Sequence, residues 1–363
     1  MTFDDVLIIK NGRNQRAVEN PDGKYPIYGS GGIMGYADDY ICEADTVIVG
    51  RKGSINNPIF VEEPFWNVDT AFGLVAKREV LLPRYLYYFC RNYDFERLNK
   101  AVTIPSLTKS DLLKIEITLP SLEIQEKIVN RLLKIEEVIQ ARQQQLQKLD
   151  DLVKARFVEM FGAYPLNPMG WKKGTIRDVV ADVRYGSSRP AVDGGKYPYL
   201  RMNNITYGGE LDLSDVKRID VPENELEKCT VRRGDVLFNR TNSKELVGKT
   251  CVYDRDEMMV LAGFVIRVRV NDLVLPEFLS AFLNTEFSKR TLLGMCKAAI
   301  GQANINAQEM QSIGIYIPPI ELQKEFVQFK NQTDKSKLAI EQSLDKLKTL
   351  RKSLMQEYYG QGE

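Results

Sequence analysis

The residues of this chain that could recognise a ligand are concentrated in short polar loops, some of which also contain glycine. In the first half, three loops supply Arg13, Asn14, Gln15, Arg16, Ser30, Arg51, Lys52, Ser54 and Asn56. In the second half, comparable loops supply Asn203, Asn204, Arg240, Thr241, Asn242, Ser243, Lys244 and Asn304. Arginine pairs with the edge of guanine and asparagine or glutamine with that of adenine, whereas lysine, serine and threonine favour phosphates. These residue types predict contacts with double-stranded DNA.

Arg51 and Arg240 are the strongest candidates among these residues. Any one of the loops, taken alone, has a simpler interpretation as a solvated turn. Residues 45–51 and residues 235–240, however, form similar segments in which an apolar strand runs into the arginine. A matched position in both halves favours a shared role.

Catalytic chemistry is not predicted. The sequence contains no histidine, which removes the commonest general base and all histidine-based metal sites. Gly248-Lys249-Thr250 resembles the end of a phosphate-binding loop, but Ser243 replaces the required glycine and the following residues favour a strand. Asn57-Pro58-Ile59-Phe60 lacks the second proline of an amino-methyltransferase signature, and the acidic residues of 223–227 are typical of a solvated loop. We therefore expect no catalytic residue, no metal site and no cofactor.

Composition is typical of a globular cytoplasmic protein. The five cysteines are scattered without a C-x-x-C pair, which favours free thiols in a reducing compartment. No segment approaches the roughly 18 to 20 apolar residues that span a membrane, and the first residues do not resemble a signal peptide. Each half carries nearly equal numbers of acidic and basic residues. Partners would therefore supply much of the phosphate contact if the chain binds DNA.

An internal repeat determines the predicted architecture. Residues 101–162 match residues 299–360 at a constant offset of 198, and both segments contain Pro-x-x-Glu-x-Gln. Earlier matches, such as residues 24–26 with residues 196–198, occur at shifting offsets. A constant helical part with variable preceding parts predicts two related globular α+β domains on a common support.

Each repeat ends in a predicted long amphipathic helix, over about residues 121–160 and 319–359. Apolar side chains recur in steps of three and four, as in a heptad seam. Neither helix could bury this stripe alone, so we expect the two to pack on each other. The predicted packing residues are Ile128, Leu132, Ile135, Ile139, Leu146, Leu149 and Val153 in the first helix, and Phe326, Ile340, Leu344, Leu347 and Leu354, with Phe329 and Leu350, in the second.

The order of these segments resembles the specificity subunit of type I restriction-modification enzymes over essentially the whole chain. The resemblance is carried by residues 119–126 and 317–324 at the starts of the helices, by residues 157–162, and by Trp171 opening the second domain. It implies a target-recognition domain at 1–119, a spacer helix at 120–162, a second target-recognition domain at 163–318 and a second spacer helix at 319–363.

The same resemblance implies a function and partners. Each globular domain would read one part of a bipartite, asymmetric DNA target, and the antiparallel helices would set the unread spacer. The helices would also dock two adenine-N6 methyltransferase subunits, with restriction subunits in a larger complex. The catalytic residues would all belong to those partners. Two other hypotheses stay open at this stage: a self-contained methyltransferase or nuclease, and a coiled-coil scaffold that does not read DNA.

Overall fold

A computed structural model of the chain describes residues 1–100, 104–296 and 303–360. It divides into two compact units, of which the first comprises 1–143 and 341–363 and the second 144–340. Each unit therefore contains a globular part and one portion of each long helix. The first residues of the repeated segments, 101–103 and 299–302, lie outside the described residues.

The globular part of the first unit contains two sheets and short helices. Its elements are α1 (Phe3–Val6), β1 (Leu7–Asn11), β2 (Tyr25–Gly29), β3 (Gly32–Ala37), β4 (Thr46–Gly50), β5 (Ile59–Val61), β6 (Trp66–Asn67), β7 (Ala71–Ala76), α2 (Pro83–Asn92), a 3-10 helix (Phe95–Leu98) and α3 (Lys109–Leu112). One sheet has the order β1-β7-β4-β5 and the other β3-β2-β6. The long helix α4 (Leu122–Phe161) follows.

The second unit repeats this plan with additions. Its elements are β8 (Lys172–Thr175), α5 (Ile176–Val179), β9 (Val180–Tyr185), β10 (Tyr197–Leu200), a 3-10 helix (Met202–Asn204), β11 (Lys217–Ile219), α6 (Glu223–Cys229), β12 (Thr230–Val231), β13 (Val236–Asn239), β14 (Thr241–Asn242), β15 (Thr250–Val252), β16 (Met259–Leu261), β17 (Val265–Val270), α7 (Pro276–Leu283), α8 (Glu286–Met295), β18 (Ala303–Asn304), α9 (Ala307–Gln311), β19 (Gly314–Ile317) and the long helix α10 (Ile320–Tyr359).

The sheets show the internal repeat directly. The order β9-β17-β13-β15 reproduces β1-β7-β4-β5, and β11-β10-β16 reproduces β3-β2-β6 before β12 is added. In these two sheets β2 with β6, and likewise β10 with β16, pair in parallel, whereas β2 with β3 and β10 with β11 pair antiparallel. The predicted α+β class with an internal repeat is confirmed.

The helices α7 and α8 follow β17 in the second globular part. They are separate because the Thr285 side chain accepts a hydrogen bond from Ser288 N and caps a new helix there.

A buried glutamine anchors each long helix to its globular part and explains the repeated Pro-x-x-Glu-x-Gln motif. In the first unit, Gln125 Oε1 accepts from Leu82 N at 2.9 Å, and its Nε2 donates to the carbonyls of Val80 and Pro120, both at 2.9 Å. Leu82 lies immediately before Pro83, the first residue of α2. The glutamine thus satisfies a backbone N–H at a helix start that has no partner within the helix.

The second unit contains the same arrangement. Gln323 Oε1 accepts from Leu275 N at 2.8 Å, and its Nε2 donates to Leu273 O at 3.1 Å and Pro318 O at 2.8 Å. Both glutamine side chains are fully buried. We call these two contacts the glutamine anchors.

The two long helices pack on each other within each unit. In the first unit, the beginning of α4 and the end of α10 join one core, which includes Leu132 and Tyr359. In the second unit, Phe157 and Phe161 near the end of α4 contact Phe326 near the beginning of α10, with ring centroids 5.3 and 5.7 Å apart. The helices are therefore antiparallel, as the resemblance implies.

Burial along the helices follows the predicted seam with one exception. Leu132, Ile135, Ile139, Phe326 and Leu344 are buried, and the remaining predicted positions are partly buried, namely Ile128, Leu146, Leu149, Val153, Phe329, Ile340, Leu347 and Leu354. Leu350 is 47% exposed, so its assignment to the seam was wrong. Val129, Phe157, Met160, Phe161 and Tyr359 are also buried on these helices.

Charged side chains also connect the globular parts to the helices. In the first unit, Glu136 of α4 accepts hydrogen bonds from Tyr88 Oη at 2.8 Å and Arg91 Nη1 at 3.1 Å, and Arg351 of α10 lies 3.9 Å away. In the second unit, Lys337 of α10 pairs with Asp150 of α4 at 2.7 Å and with Glu210 of the globular part.

Candidate nucleic-acid interface

In the first unit, backbone hydrogen bonds assemble the candidate loops around residues 67–71. Gly12 N donates to Ala71 O at 3.2 Å, and Arg13 N donates to Asn67 O at 2.9 Å. A Cβ at Gly12 would overlap the carbonyl oxygen of Val68, so this close approach requires glycine. Arg13 is thereby fixed beside the segment.

The Arg51 loop lies on the other side of the same segment. Arg51 N donates to Thr70 O at 2.8 Å, and Arg51 O accepts from Leu107 N at 2.9 Å. Gly53 N donates to Pro105 O at 3.1 Å. We call residues 12–13, 51–53, 67–71 and 105–107 the first loop frame.

The second unit contains the same frame at equivalent positions. Gly186 N donates to Val265 O at 3.2 Å and Ser187 N to Leu261 O at 2.6 Å. Arg240 N donates to Phe264 O at 3.0 Å, while Arg240 O accepts from Ile305 N at 2.9 Å. A Cβ at Gly186 would overlap the carbonyl oxygen of Ala262. Residues 186–187, 240–242, 261–265 and 303–305 form the second loop frame.

The two frames share a backbone arrangement but present different side chains. Arginine is retained at Arg51 and Arg240. The other side chains differ, since Arg13, Asp69, Thr70 and Ser106 in the first frame correspond to Ser187, Gly263, Phe264 and Asn304 in the second. Asn11 and Tyr185 precede the two frames at equivalent positions. Ser187 is buried, whereas the other positions are exposed or partly exposed. Two similar supports with different surface chemistry could distinguish two different ligands.

The two arginines at matched positions of the frames each lie against an aromatic ring. The Arg51 guanidinium is 5.8 Å from the centroid of Phe72, and that of Arg240 is 5.0 Å from the centroid of Tyr185. Such contacts hold a planar guanidinium in place through cation–π attraction. Among the described residues, no ion pair involves Arg51 or Arg240, so both cations are available to an anionic or polar ligand.

Other predicted residues surround the frames. Ser30 lies over Gly50 and Gly53, with its Cβ 3.1 Å from the place where a Cβ of Gly50 would lie. Lys52, Ser54, Asn203, Lys244 and Asn304 are exposed, as are Arg13, Asn14 and Arg16, while Gln15, Asn242 and Ser243 are partly exposed. The Asn14 and Asn242 side chains accept hydrogen bonds from Arg16 N and Ser243 N, both at 2.9 Å, and so shape their own loops.

Three predicted contact residues serve the fold instead. Asn204 is buried, accepts from Arg201 N and donates to the carbonyls of Asp212 and Asp215. Asn56 donates to Asp94 and accepts from Phe95 N. Thr241 is buried and donates to Asn304 Oδ1 at 3.4 Å. Because these polar groups are already engaged, we withdraw the three residues from the set that contacts DNA directly.

The Gly248-Lys249-Thr250 segment does not form a phosphate-binding loop. Thr250 opens strand β15 and not a helix. Lys249 is buried and donates to Met202 O at 2.9 Å, while Lys289 donates to Gly248 O at 2.8 Å. Burial, with a smaller contribution from Lys249, lowers the pKa of Lys289 to about 8. Both lysine side chains therefore donate to backbone carbonyls of the fold.

Sequence reasoning missed two exposed aromatic residues at the second frame, one within it and one immediately before it. Phe264 is 53% exposed and Tyr185 is 45% exposed. Both belong to strands by their sequence pattern, and a search for polar loops passes over them. The sequence signal that could have identified Phe264 is its position beside Gly263 at the start of a strand.

Among the described residues, no cluster of three or more acidic or cysteine side chains could hold a metal ion. No helix within the described part of the chain is long and apolar enough to cross a membrane.

Comparison with known proteins identifies the fold and the family. The family model described as "Type I restriction modification DNA specificity domain" matches residues 1–150 and 168–349. The type I restriction enzyme EcoKI specificity subunit of Escherichia coli K12 is 21% identical over 299 residues, which cover 77% of this chain and 64% of that protein. This chain thus spans less than two thirds of the length of that relative.

Solved structures resemble the chain over nearly its whole length. The S subunit of a type I restriction-modification system from M. genitalium has a TM-score of 0.60 at 16% identity, with coverage of 100% of this chain and 96% of that one. A chain from a structure concerned with complex assembly and conformational transition of the type I R-M system has a TM-score of 0.61 at 19% identity, with coverage of 99% and 96%. At these identities, the likeness supports the fold alone.

Proposed function

Because the chain belongs to the type I restriction modification DNA specificity domain family, we propose that it is the sequence-specific DNA-recognition subunit of a type I restriction-modification system. Residues 1–119 and 163–318 act as the two target-recognition domains, and each reads one part of a bipartite, asymmetric target. The helical segments 120–162 and 319–363 set the length of the unread spacer.

The loop frames carry this proposal. One backbone arrangement occurs in both units, with Arg51 and Arg240 at matched positions and different side chains around them. Arginine is the commonest reader of guanine in the major groove, and the neighbouring polar or apolar groups select the adjoining bases. An asymmetric bipartite target requires two different recognition surfaces. Two domains with the same backbone arrangement and different side chains provide them.

The proposed partners follow from the family and from the residues that the chain lacks. Two adenine-N6 methyltransferase subunits dock on the helices, and restriction subunits join a larger complex. Those partners supply the catalytic groups and much of the phosphate contact, which agrees with the absence of histidine and the balanced charge of this chain. The subunit itself is non-catalytic, needs no cofactor and acts in the cytoplasm.

The decisive experiment maps methylated adenines in cells that carry the methyltransferase genes with and without this chain. The proposal predicts a single bipartite motif that is methylated only when the chain is present. Methylation that does not depend on the chain, or methylation without sequence preference, contradicts the proposal and favours a scaffold without DNA reading.

Two arginine variants test the assignment of the readers. Arg51→Ala should relax recognition of one half of the motif, and Arg240→Ala the other half, each by roughly 1 to 3 kcal/mol of discrimination for a bidentate contact. Arg78→Ala and Arg233→Ala are matched controls, since both arginines form exposed ion pairs away from the frames. Unchanged specificity in both frame variants would show that other loops read the DNA.

A further inference from the structure

The Phe264 side chain in the second loop frame is exposed to solvent, and packing of the fold does not explain this exposure. Its side chain is 53% exposed, although its backbone is held from two directions. Its carbonyl accepts from Arg240 N at 3.0 Å, and the adjacent Gly263 N donates to Ser187 O at 2.7 Å. An aromatic ring on a rigid backbone is thus presented to solvent beside an available arginine.

The spacing between Phe264 and Arg240 suits neighbouring base pairs. The two residues continue the antiparallel pairing of β13 with β17, in which Asn239 is opposite Val265. Facing residues in such a ladder have Cα atoms about 4.5 to 5.5 Å apart, and successive bases along one strand are about 3.4 Å apart. The side chains of such a pair can therefore reach two consecutive base edges.

Tyr185 completes the cluster and directs Arg240. Its ring lies 5.0 Å from the Arg240 guanidinium, and its hydroxyl accepts from Ala307 N at 2.9 Å, so the ring itself is fixed. Among the described residues, the Arg240 side chain otherwise makes one long contact, in which Nη1 donates to Gly263 O at 3.5 Å. The phenyl ring of Phe264 then provides an apolar surface next to the cation.

We propose that Phe264 is a specificity-determining residue that contacts the 5-methyl group of a thymine next to the base read by Arg240. Among the four unmodified bases, thymine alone presents a methyl group in the major groove, and phenylalanine is one of the side chains that contact it. The inference rests on the proposed function and adds the identity of one base in the second half-site.

The test uses the chain assembled with its methyltransferase subunits and a duplex that contains the motif found by methylation mapping. Each thymine in the half-site affected by Arg240→Ala is replaced in turn by deoxyuracil, which removes only the methyl group. Binding by the unmodified chain should weaken about fourfold at one position, the loss that corresponds to one buried methyl group. Phe264→Ala should bind the thymine and deoxyuracil duplexes equally, whereas Phe264→Leu should preserve the difference.

Met258→Ala is the matched control, since Met258 is 47% exposed and belongs to the same unit; it should leave the ratio unchanged. A half-site without thymine, or a thymine-to-deoxyuracil ratio unaltered by Phe264→Ala, overturns the inference. If Arg240→Ala still impairs that half-site, the proposed function survives this result. Loss of all sequence preference in the unmodified complex would instead refute the proposed function and the inference together.

Discussion

The glutamine anchors allow a quantitative test of how the readers are held on the helices. Gln125→Leu keeps the approximate size of the side chain but removes one acceptor and the donor of two hydrogen bonds. The N–H of Leu82 would lose its partner, which costs about 1 to 3 kcal/mol, and each lost bond to a carbonyl costs about 0.5 to 1.5 kcal/mol. Val80 is 37% exposed, so water can replace part of the lost hydrogen bond to the Val80 carbonyl. We expect the first unit to lose about 3 kcal/mol of unfolding free energy.

Tryptophan fluorescence can assign this loss to one unit. The chain has two tryptophans: Trp66 lies in the first unit and Trp171 in the second. In a Trp171→Phe background, Trp66 reports urea unfolding of the first unit, and the Gln125→Leu midpoint should fall clearly. Gln323→Leu, measured through Trp171 in a Trp66→Phe background, should destabilise the second unit by a similar amount.

Gln140→Leu provides the matched control, because Gln140 is exposed on the same helix as Gln125. Its effect should stay within about 0.5 kcal/mol, as for most surface substitutions. If Gln125→Leu changes the unfolding free energy of the first unit no more than the control does, the anchor does not have the energetic role argued above.

Two further predictions concern the frames and the ionic contacts. Gly12→Ala and Gly186→Ala should each destabilise their unit by about 1 to 3 kcal/mol or more, because the added Cβ would overlap a backbone carbonyl. Gly31→Ala should be nearly neutral in the same urea titration, because a Cβ at Gly31 has no neighbour within 4 Å. Burial alone would lower the pKa of Lys337, but Asp150 and Glu210 raise it overall. Its contribution to stability is therefore fully present below the ordinary lysine pKa of 10.5 and lost as pH rises through the higher folded value. Lys337→Met should therefore lower the free energy of unfolding by about 1 to 2 kcal/mol near neutral pH, a figure reduced because the carboxylates are partly exposed. The difference in unfolding free energy from the unmodified chain should shrink above pH 10.5. Lys335→Met, at an exposed position, serves as control, and a difference that stays constant across that pH range would contradict the assignment.

The helices and the repeat were accessible from sequence because their signals are local. Steps of three and four residues identify a seam, and a constant offset identifies two copies of one segment. The same logic placed Arg51 and Arg240 at matched positions. Leu350 shows the limit of the method, since it belongs to the apolar stripe by its spacing and is nevertheless 47% exposed.

The loop frames could not be predicted in the same way. They are built from backbone hydrogen bonds between residues far apart in the sequence, such as Arg13 with Asn67, and backbone groups leave no signature in residue type. Asn204 illustrates the opposite case, in which a residue predicted to contact DNA has a structural role. An amide side chain that can pair with adenine can equally well hydrogen-bond to the backbone of a buried loop. Gln125 and Gln323 were recognised as a motif, but their role became clear only from their carbonyl partners.

The first unit is built from two separate segments of the chain, and this has a consequence for biosynthesis. Tyr359, close to the end of α10, packs against Tyr85 and Phe89 with ring centroids 4.9 and 6.4 Å away. That core belongs to the first unit, yet residues 341–359 leave the ribosome only after all of residues 144–340. The first unit must therefore keep an unfilled apolar surface while the second is being made, and translation that stops before residue 341 would release a product whose exposed core favours aggregation or proteolysis.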